Sequence, residues 1–315
     1  MKVILLGYKG LIGSHILEEL VKYLEKKPKF DLICVGRSIT DQPFKSKKIK
    51  YIKWNLLEFT KSKLFFLGKE NIIINCVGKN YSSKKNLEKI NIIFIKRLIR
   101  YIKENKILVR LIHLSSVSVY GVEKKYITKI KTITENSKTN ADDLYSKSKL
   151  KAELCIQNIS KIDRKKFSFT ILRIANVFSE LKSPNSFKLI NFLLNKGIWF
   201  KCSDKTKYHY VHAKDVALAT FLCVANLKKS RNKIYNVSDD INQFQLHEIY
   251  AKALKFKLLI IPISLQFLNL IIKPILMPKK IFNFFLTISS QTTYNNNKIK
   301  KELNFRARYS LKNKF

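Results

Sequence analysis

The opening residues restrict the fold more than any other stretch of the chain. Lys2-Val3-Ile4-Leu5-Leu6 is a short apolar run, as expected of a strand buried on both faces of a parallel sheet. Gly7-Tyr8-Lys9-Gly10-Leu11-Ile12-Gly13 follows directly, and beyond it apolar residues recur with helical spacing at Ile16, Leu17, Leu20, Val21 and Leu24. Strand, Gly-x-x-Gly-x-x-Gly turn and helix, in that order, describe a dinucleotide-binding unit. The glycines allow a tight turn and let the backbone approach a pyrophosphate, whose charge meets the amides at the helix start. Gly7, Gly10, Leu11, Ile12 and Gly13 are therefore expected cofactor contacts.

The rest of the chain repeats the alternation. Phe30 to Gly36 reads as a second strand and ends in Gly36-Arg37-Ser38. A nucleotide site that takes NAD usually carries an acid here for the ribose hydroxyls, whereas an arginine suits a 2′-phosphate. Arg37 thus favours NADP, with NAD as the alternative. Tyr51 to Trp54 is a third strand, followed by Asn55-Leu56 toward the adenine. Asn71 to Val77 is a fourth, ending at Gly78, so that Val77 and Gly78 also fall at the cofactor edge. A helix is expected from about Asn86 to Glu104, carrying Asn91 among isoleucines. Val109 to Leu114 and Phe167 to Ile174 are the fifth and sixth strands, and Asp215 to Val224 and Ile234 to Val237 a later helix and strand. The expected fold is α/β, a Rossmann-type doubly wound parallel sheet with a smaller C-terminal substrate lobe. Residues 1–175 would form the nucleotide domain, with 205–237 partly returning to it, and 176–204 and 238–315 the substrate lobe.

The chemistry sits in Tyr145-Ser146-Lys147-Ser148-Lys149. A tyrosine and a lysine four apart share one helix face. A phenol, with an ordinary pKa of about 10, is a poor base at neutral pH, but a neighbouring ammonium favours the phenolate. Such a pair can give or take a proton near pH 7. The motif means little alone in a chain this rich in Tyr and Lys. Ser115-Ser116, at the carboxyl end of the fifth strand, supplies the hydroxyl it needs, where open α/β sheets bind their ligands.

Lysine and arginine number 62 against 22 acids, a formal charge of +40. The basic residues run along the whole chain, and Lys, Asn, Ile, Phe and Tyr are abundant together, as A/T-rich codons produce. The charge favours anionic substrates, and it lacks the aromatic platforms of a specific nucleic-acid binder. Five cysteines without a C-x-x-C imply neither a disulfide framework nor a zinc site. His209 and His212 have no evident third ligand, so no metal is expected. The N-terminus enters a strand at once, without a signal peptide, and a cytoplasmic protein is expected. Leu258 to Ile272 is the most apolar stretch, 15 residues interrupted by Pro262. That is too short for a confident membrane span. It reads as a substrate-lobe helix, with peripheral membrane contact as an alternative.

Together these residues resemble the extended short-chain dehydrogenase/reductases, in particular the nucleotide-sugar epimerase/dehydratase family. The landmarks are Gly7/Gly10/Gly13, Asn55-Leu56, Asn91, Ser115-Ser116 with Tyr120-Gly121, Tyr145/Lys149, Leu172-Arg173 with Asn176, Val211-His212 with Asp215, Tyr235-Asn236-Val237, and the closing Lys298 to Phe305. The resemblance implies an enzyme in which Tyr145 is the acid/base, Lys149 holds the nicotinamide ribose and tunes Tyr145, and Ser116 bonds the reacting oxygen. It places Asn91 near the cofactor, Asn176 beside the substrate, and Asn55 where the family usually has an aspartate. Three departures follow. Val117-Ser118 stand where the family's dehydratases carry Asp-Glu, which argues against dehydration. Tyr208, with Lys205 and Lys207 nearby, replaces a diphosphate-clamping arginine, and Lys207 becomes the candidate substrate cation. A second C-terminal arginine has no clear counterpart. The expected reaction is NADPH-dependent reduction of a 4-keto nucleotide sugar for bacterial surface polysaccharide, and 4-epimerisation is the runner-up. A non-catalytic scaffold and an RNA-binding protein are the readings from other classes; a homodimer is open.

Overall fold

The computed structural model describes residues 1–26, 30–39, 42–55, 67–78, 87–121, 131–162, 164–179, 195–254, 259–264 and 291–310, with Phe192 and Ser289. Among these, seven parallel strands form the central sheet: β1 (Lys2–Leu6), β2 (Asp31–Gly36), β3 (Ile49–Lys53), β4 (Glu70–Asn75), β5 (Leu108–Ser116), and, after the short β6 (Lys131–Ile133) outside it, β7 (Phe167–Ile174). The seventh member is β11 (Lys233–Val237), reached after β8 (Asn176–Phe178), β9 (Ile198–Lys201) and β10 (Lys207–His212). Their order, β11-β7-β5-β4-β1-β2-β3, reverses direction beside β1, which opens a crevice between β1 and β4. The expected doubly wound sheet is present, with each predicted strand of the nucleotide domain in place.

The apolar runs explain the layers. Successive side chains of a strand point to opposite faces, and both faces here are covered. Val3 and Leu5 pack with α1 (Leu11–Lys26) through Ile16, Leu17 and Leu20. Ile4 and Leu6 pack on the other face with α2 (Phe94–Glu104) through Phe94, Ile95 and Leu98. The helix α3 (Leu144–Ile162) adds Ile156 to that second core, and α4 (Ala213–Ala225) adds Val216 and Ala217 to the first. Each such fully buried aliphatic side chain contributes about 1.5–3 kcal/mol. β7 is buried at every position, its polar Ser168, Thr170 and Arg173 included.

Two expectations need correction. The helix foreseen from Asn86 to Glu104 is not uniform: Lys89–Ile93 is a wider π turn that leads into α2, and Asn86 lies outside the described residues. The apolar run 258–272 is not helical where it is described. Leu259–Pro262 is a strand, β13, paired in parallel with β9. β-Branched residues and a proline favour an extended backbone there. Leu258 and 265–272 lie outside the described residues.

Beyond the main sheet, β10 pairs with β8 and with β12 (Asp239–Asn242), which leads into α5 (Gln243–Leu254). β14 (Thr292–Tyr294) pairs with β6, and α6 (Asn297–Leu303) follows it. Ile299, Leu303 and Phe305 are buried in the same core as Val3 and Leu5. The chain after α6 is held by Asp215 in α4, whose carboxylate accepts the amides of Arg308 and Tyr309 at 2.7 and 3.1 Å.

Candidate active site

The glycine turn after β1 has the shape its sequence predicts. Gly7 has φ +85°, a left-handed conformation that side chains resist. A Cβ on Gly13 would stand 2.2 Å from the Gly7 carbonyl oxygen, so no other residue lets α1 approach the strand this closely. The Gly10 amide donates to the Gly7 carbonyl at 3.0 Å, and the Ser14 amide to the Gly10 carbonyl at 2.9 Å. The amides of Leu11, Ile12 and Gly13 precede that first helical bond and form the open end of α1. This cradle fits a pyrophosphate.

Across the crevice, a Cβ on Gly7 would meet Val77 Cγ2 at 3.1 Å. The turn bearing Val77 and Gly78 is held from beneath. The Val77 amide donates to Asn75 Oδ1 at 3.1 Å, and the Asn75 amide group lies 3.2 Å from His113 Nδ1. Burial, and after it the charge of Lys149, holds the His113 imidazole well below its usual range. It is therefore neutral and can accept that bond. At the other end of the crevice, Arg37 is exposed directly after β2. Lys9 Nζ donates to Ser38 Oγ at 3.0 Å, and the Tyr8 hydroxyl to the Ser38 carbonyl at 3.3 Å. Any side chain on Gly36 would run into the Tyr8 ring, which its Cβ would meet at 2.8 Å. Residue 36 therefore has no room for the acid that ribose hydroxyls would want. Asn55 is half-buried after β3, and Leu56 lies outside the described residues.

The catalytic candidates meet at the end of β5. Asp143 caps α3: its carboxylate accepts the Ser146 amide at 2.7 Å, while Ser146 Oγ accepts the Asp143 amide at 3.1 Å. Tyr145, the second residue of α3, is half-buried, and Lys149, one turn further on, is 4% exposed. Lys149 Nζ lies 5.9 Å from the centre of the Tyr145 ring and donates to the Leu114 carbonyl at 3.0 Å. A Cβ on Gly78 would stand 3.0 Å from the same Nζ and 3.7 Å from Asn91 Oδ1. Burial pulls the Lys149 ammonium down to about 8, with Glu153 opposing. Ser116 closes β5 in an extended conformation, and its Oγ accepts the Ser118 amide at 3.2 Å. The π turn puts Asn91 behind this group, donating to Ser148 Oγ at 2.8 Å; Ser148 in turn donates to the Tyr145 carbonyl at 2.7 Å. Asn91 Oδ1 is buried without a hydrogen-bond partner among the described residues. A buried acceptor left so is costly, and it suits a site completed by a further ligand or water.

A buried network fixes this end of the sheet. Glu153 in α3 accepts from Ser115 Oγ and from Arg173 on β7, whose Nη2 lies 2.7 Å away. The Arg173 guanidinium stands 4.8 Å over the Tyr120 ring, and the Tyr120 hydroxyl donates to Asn236 Oδ1 at 2.8 Å. Ser115 and Tyr120 flank Ser116, so the network holds its strand end and turn from both sides. Glu153, Asn75, His113 and Lys9 were not singled out in the sequence, where each looks like an ordinary polar residue.

The substrate candidates lie on the smaller sheet. Asn176 is exposed at the start of β8, opposite Tyr210 of β10, and Lys207 is half-exposed at the other end of β10, opposite Asn242. Three residues of strand separate them along β10, roughly 10 Å. Tyr208 is buried beside Trp199 and Tyr210 and does not take the place of an exposed clamp. Among the described residues no cluster of His, Cys, Asp and Glu could hold a metal ion. His209 lies 3.1 Å from Asp240, and His212 caps α4 by accepting the Lys214 amide at 3.2 Å. All five cysteines are free. No described helix is long and apolar enough to cross a membrane.

Solved structures share this fold. UDP-glucuronic acid 4-epimerase from Bacillus cereus, in complex with NAD, superposes with a TM-score of 0.69 at 17% identity, covering 99% of this chain and 93% of that one. The dTDP-glucose 4,6-dehydratase DesIV from Streptomyces venezuelae, with NAD bound, gives 0.69 at 16% identity, over 99% and 93%. A UDP-galactose 4-epimerase gives 0.66 at 15%, over 98% and 94%. A search of curated proteins finds no match to the chain. The model of the NAD dependent epimerase/dehydratase family matches residues 3–238, three quarters of the chain and all of the site from Gly7 to Lys207. The chain belongs to that family and is a nicotinamide-dinucleotide-dependent enzyme.

Proposed function

We propose that the chain reduces a 4-keto sugar carried on a nucleotide, with NADPH as the reductant. The observation that carries this reading is the cationic, acid-free end of β2. Arg37 is exposed there, Lys9 is tethered to Ser38 beside it, and the Tyr8 ring leaves no room for an acid at residue 36. A 2′-phosphate is the group that two cations at this position suit. Nucleotide sugars are the substrates named for similar structures, among them complexes with UDP-glucose and UDP-glucuronic acid, which supports the substrate class.

The pyrophosphate would lie on the amides of Leu11, Ile12 and Gly13, the adenine near Asn55 and Leu56, and the nicotinamide ribose near Val77, Gly78, Asn91 and Lys149. When bound, the reduced dinucleotide supplies a hydride to the carbonyl carbon. Tyr145 gives its phenolic proton to the carbonyl oxygen, and the alcohol forms. The Lys149 ammonium stabilises the phenolate that remains, and Ser116 donates a hydrogen bond that orients the same oxygen. Asn176 and Lys207 would hold the sugar and its diphosphate. In this assignment 1–175 with 205–237 carries the dinucleotide, 176–204 and 238–315 the sugar. The cytoplasm and a surface-polysaccharide pathway are the setting. Dehydration is disfavoured, because Val117 and Ser118 offer no carboxylate next to Ser116.

The second reading is 4-epimerisation, favoured by the NAD-bound UDP-glucuronic acid 4-epimerase and by the UDP-galactose 4-epimerase among the similar structures. Mixing enzyme, NADPH and a 4-keto nucleotide sugar separates the two. A reductase consumes one NADPH per sugar. An epimerase interconverts 4-hydroxy sugars with no net consumption, and that outcome would overturn the proposal.

A further inference from the structure

β13 is the least buried strand among the described residues. Leu259, Ile260 and Ile261 are 62%, 39% and 37% exposed, and Pro262 is exposed too. Neighbouring strand residues point to opposite faces, so three consecutive exposed aliphatic residues mean that both faces of this ribbon are open. β9 supports it along one edge, from Leu259 opposite Ile198 to Pro262 opposite Lys201. Phe192 is 58% exposed and sits one turn before β9, its carbonyl accepting the Lys196 amide at 3.2 Å. Four of the ten large apolar side chains exposed among the described residues thus gather in one part of the molecule. A soluble surface rarely collects them without a partner.

The surrounding charge selects the partner. Lys196 and Lys252 are exposed at the approaches to β9 and β13, and Lys201, bonded to Asp204, stands opposite Pro262. The described acids nearby are Asp204 and Glu248, and the whole chain carries +40. Two copies of so cationic a chain repel, which opposes pairing of β13 with its own counterpart. An anionic lipid surface attracts the lysines and accepts the aliphatic side chains at its acyl boundary. We infer that the ribbon formed by Leu259, Ile260 and Ile261, with Phe192, seats the protein on an anionic bilayer surface. The contact is interfacial and spans nothing.

The test uses the full chain and sedimentation with vesicles. Phosphatidylglycerol-rich vesicles should carry the protein down, and pure phosphatidylcholine vesicles should not. Leu259→Ser with Ile261→Ser should lower the partition coefficient at least about tenfold, since two aliphatic side chains leave the acyl boundary. Leu154→Ser, on a comparably exposed leucine of α3, should change nothing. Lys196→Glu with Lys252→Glu should weaken binding while leaving the ribbon intact. The inference fails if no vesicle binds, or if the double serine variant binds like the parent, which would leave charge alone as the cause. It also fails if sedimentation velocity shows a dimer that the serine variant dissolves, because the ribbon would then belong to a second copy.

Discussion

Tyr145 and Lys149 are the residues at which a single substitution should change the chemistry most. Tyr145→Phe removes the proton donor and leaves the dinucleotide contacts standing, so kcat should fall by about 10²–10⁴-fold while cofactor affinity stays nearly unchanged. A variant that keeps a tenth of the parental kcat would remove Tyr145 from the mechanism. Lys149 gives a pH signature. Burial places its ammonium at about 8, below the 10.5 of a free lysine, so the charge is present below pH 8 and lost above it. kcat/KM reports groups of the free enzyme and should decline as pH rises through about 8. In Lys149→Arg, which stays charged, that limb should move to higher pH. A limb that stays in place would assign it to another group. The glycines of the turn were legible in the sequence because their reason is local. Asn75, His113 and Lys9 were not, because each acquires its meaning from a partner dozens of residues away.

At the scale of elements, the site rests on α3 and β7 being tied together beneath Ser116. Glu153 and Arg173 are both buried, and removing one strands the other as an uncompensated charge. Glu153→Ala should therefore cost about 3–5 kcal/mol in stability by denaturant titration. Glu153→Gln, which keeps an acceptor, should cost less. A loss below about 1 kcal/mol for Glu153→Ala would show that the pair does not hold the sheet end. The strands themselves were readable. Phe167 to Ile174 coincides with β7 end to end, since its aliphatic and aromatic residues form one run broken only by the buried Ser168, Thr170 and Arg173. What could not be read is long-range pairing. β6 and β14 join Lys131–Ile133 to Thr292–Tyr294, and neither short segment has a local signature. The π turn at Lys89–Ile93 is hidden for a related reason, since isoleucines suit a π and an α turn equally. Leu259–Pro262 misled because an apolar run does not declare its period when both of its faces are apolar.

At the scale of the whole molecule, a reductase and an epimerase differ in what they do with the cofactor. An epimerase oxidises and re-reduces one sugar and gains by keeping its dinucleotide. A reductase must release it after every turnover and draw on the reduced pool. The cationic end of β2 bears on that choice, because a charge-assisted bond from Arg37 to a 2′-phosphate is worth about 1.5–3 kcal/mol, roughly ten- to a hundredfold in affinity. Lys9, fixed on Ser38, should add to it. Titrating the purified protein with NADPH and with NADH, for the parent and for Arg37→Ala, decides between reductase and epimerase. NADPH should bind at least about tenfold more tightly than NADH, and Arg37→Ala should remove most of the difference while leaving the NADH affinity nearly as it was. NADH binding as tightly as NADPH, or one equivalent of NAD that co-purifies and survives dialysis, would contradict the reductase and leave the epimerase.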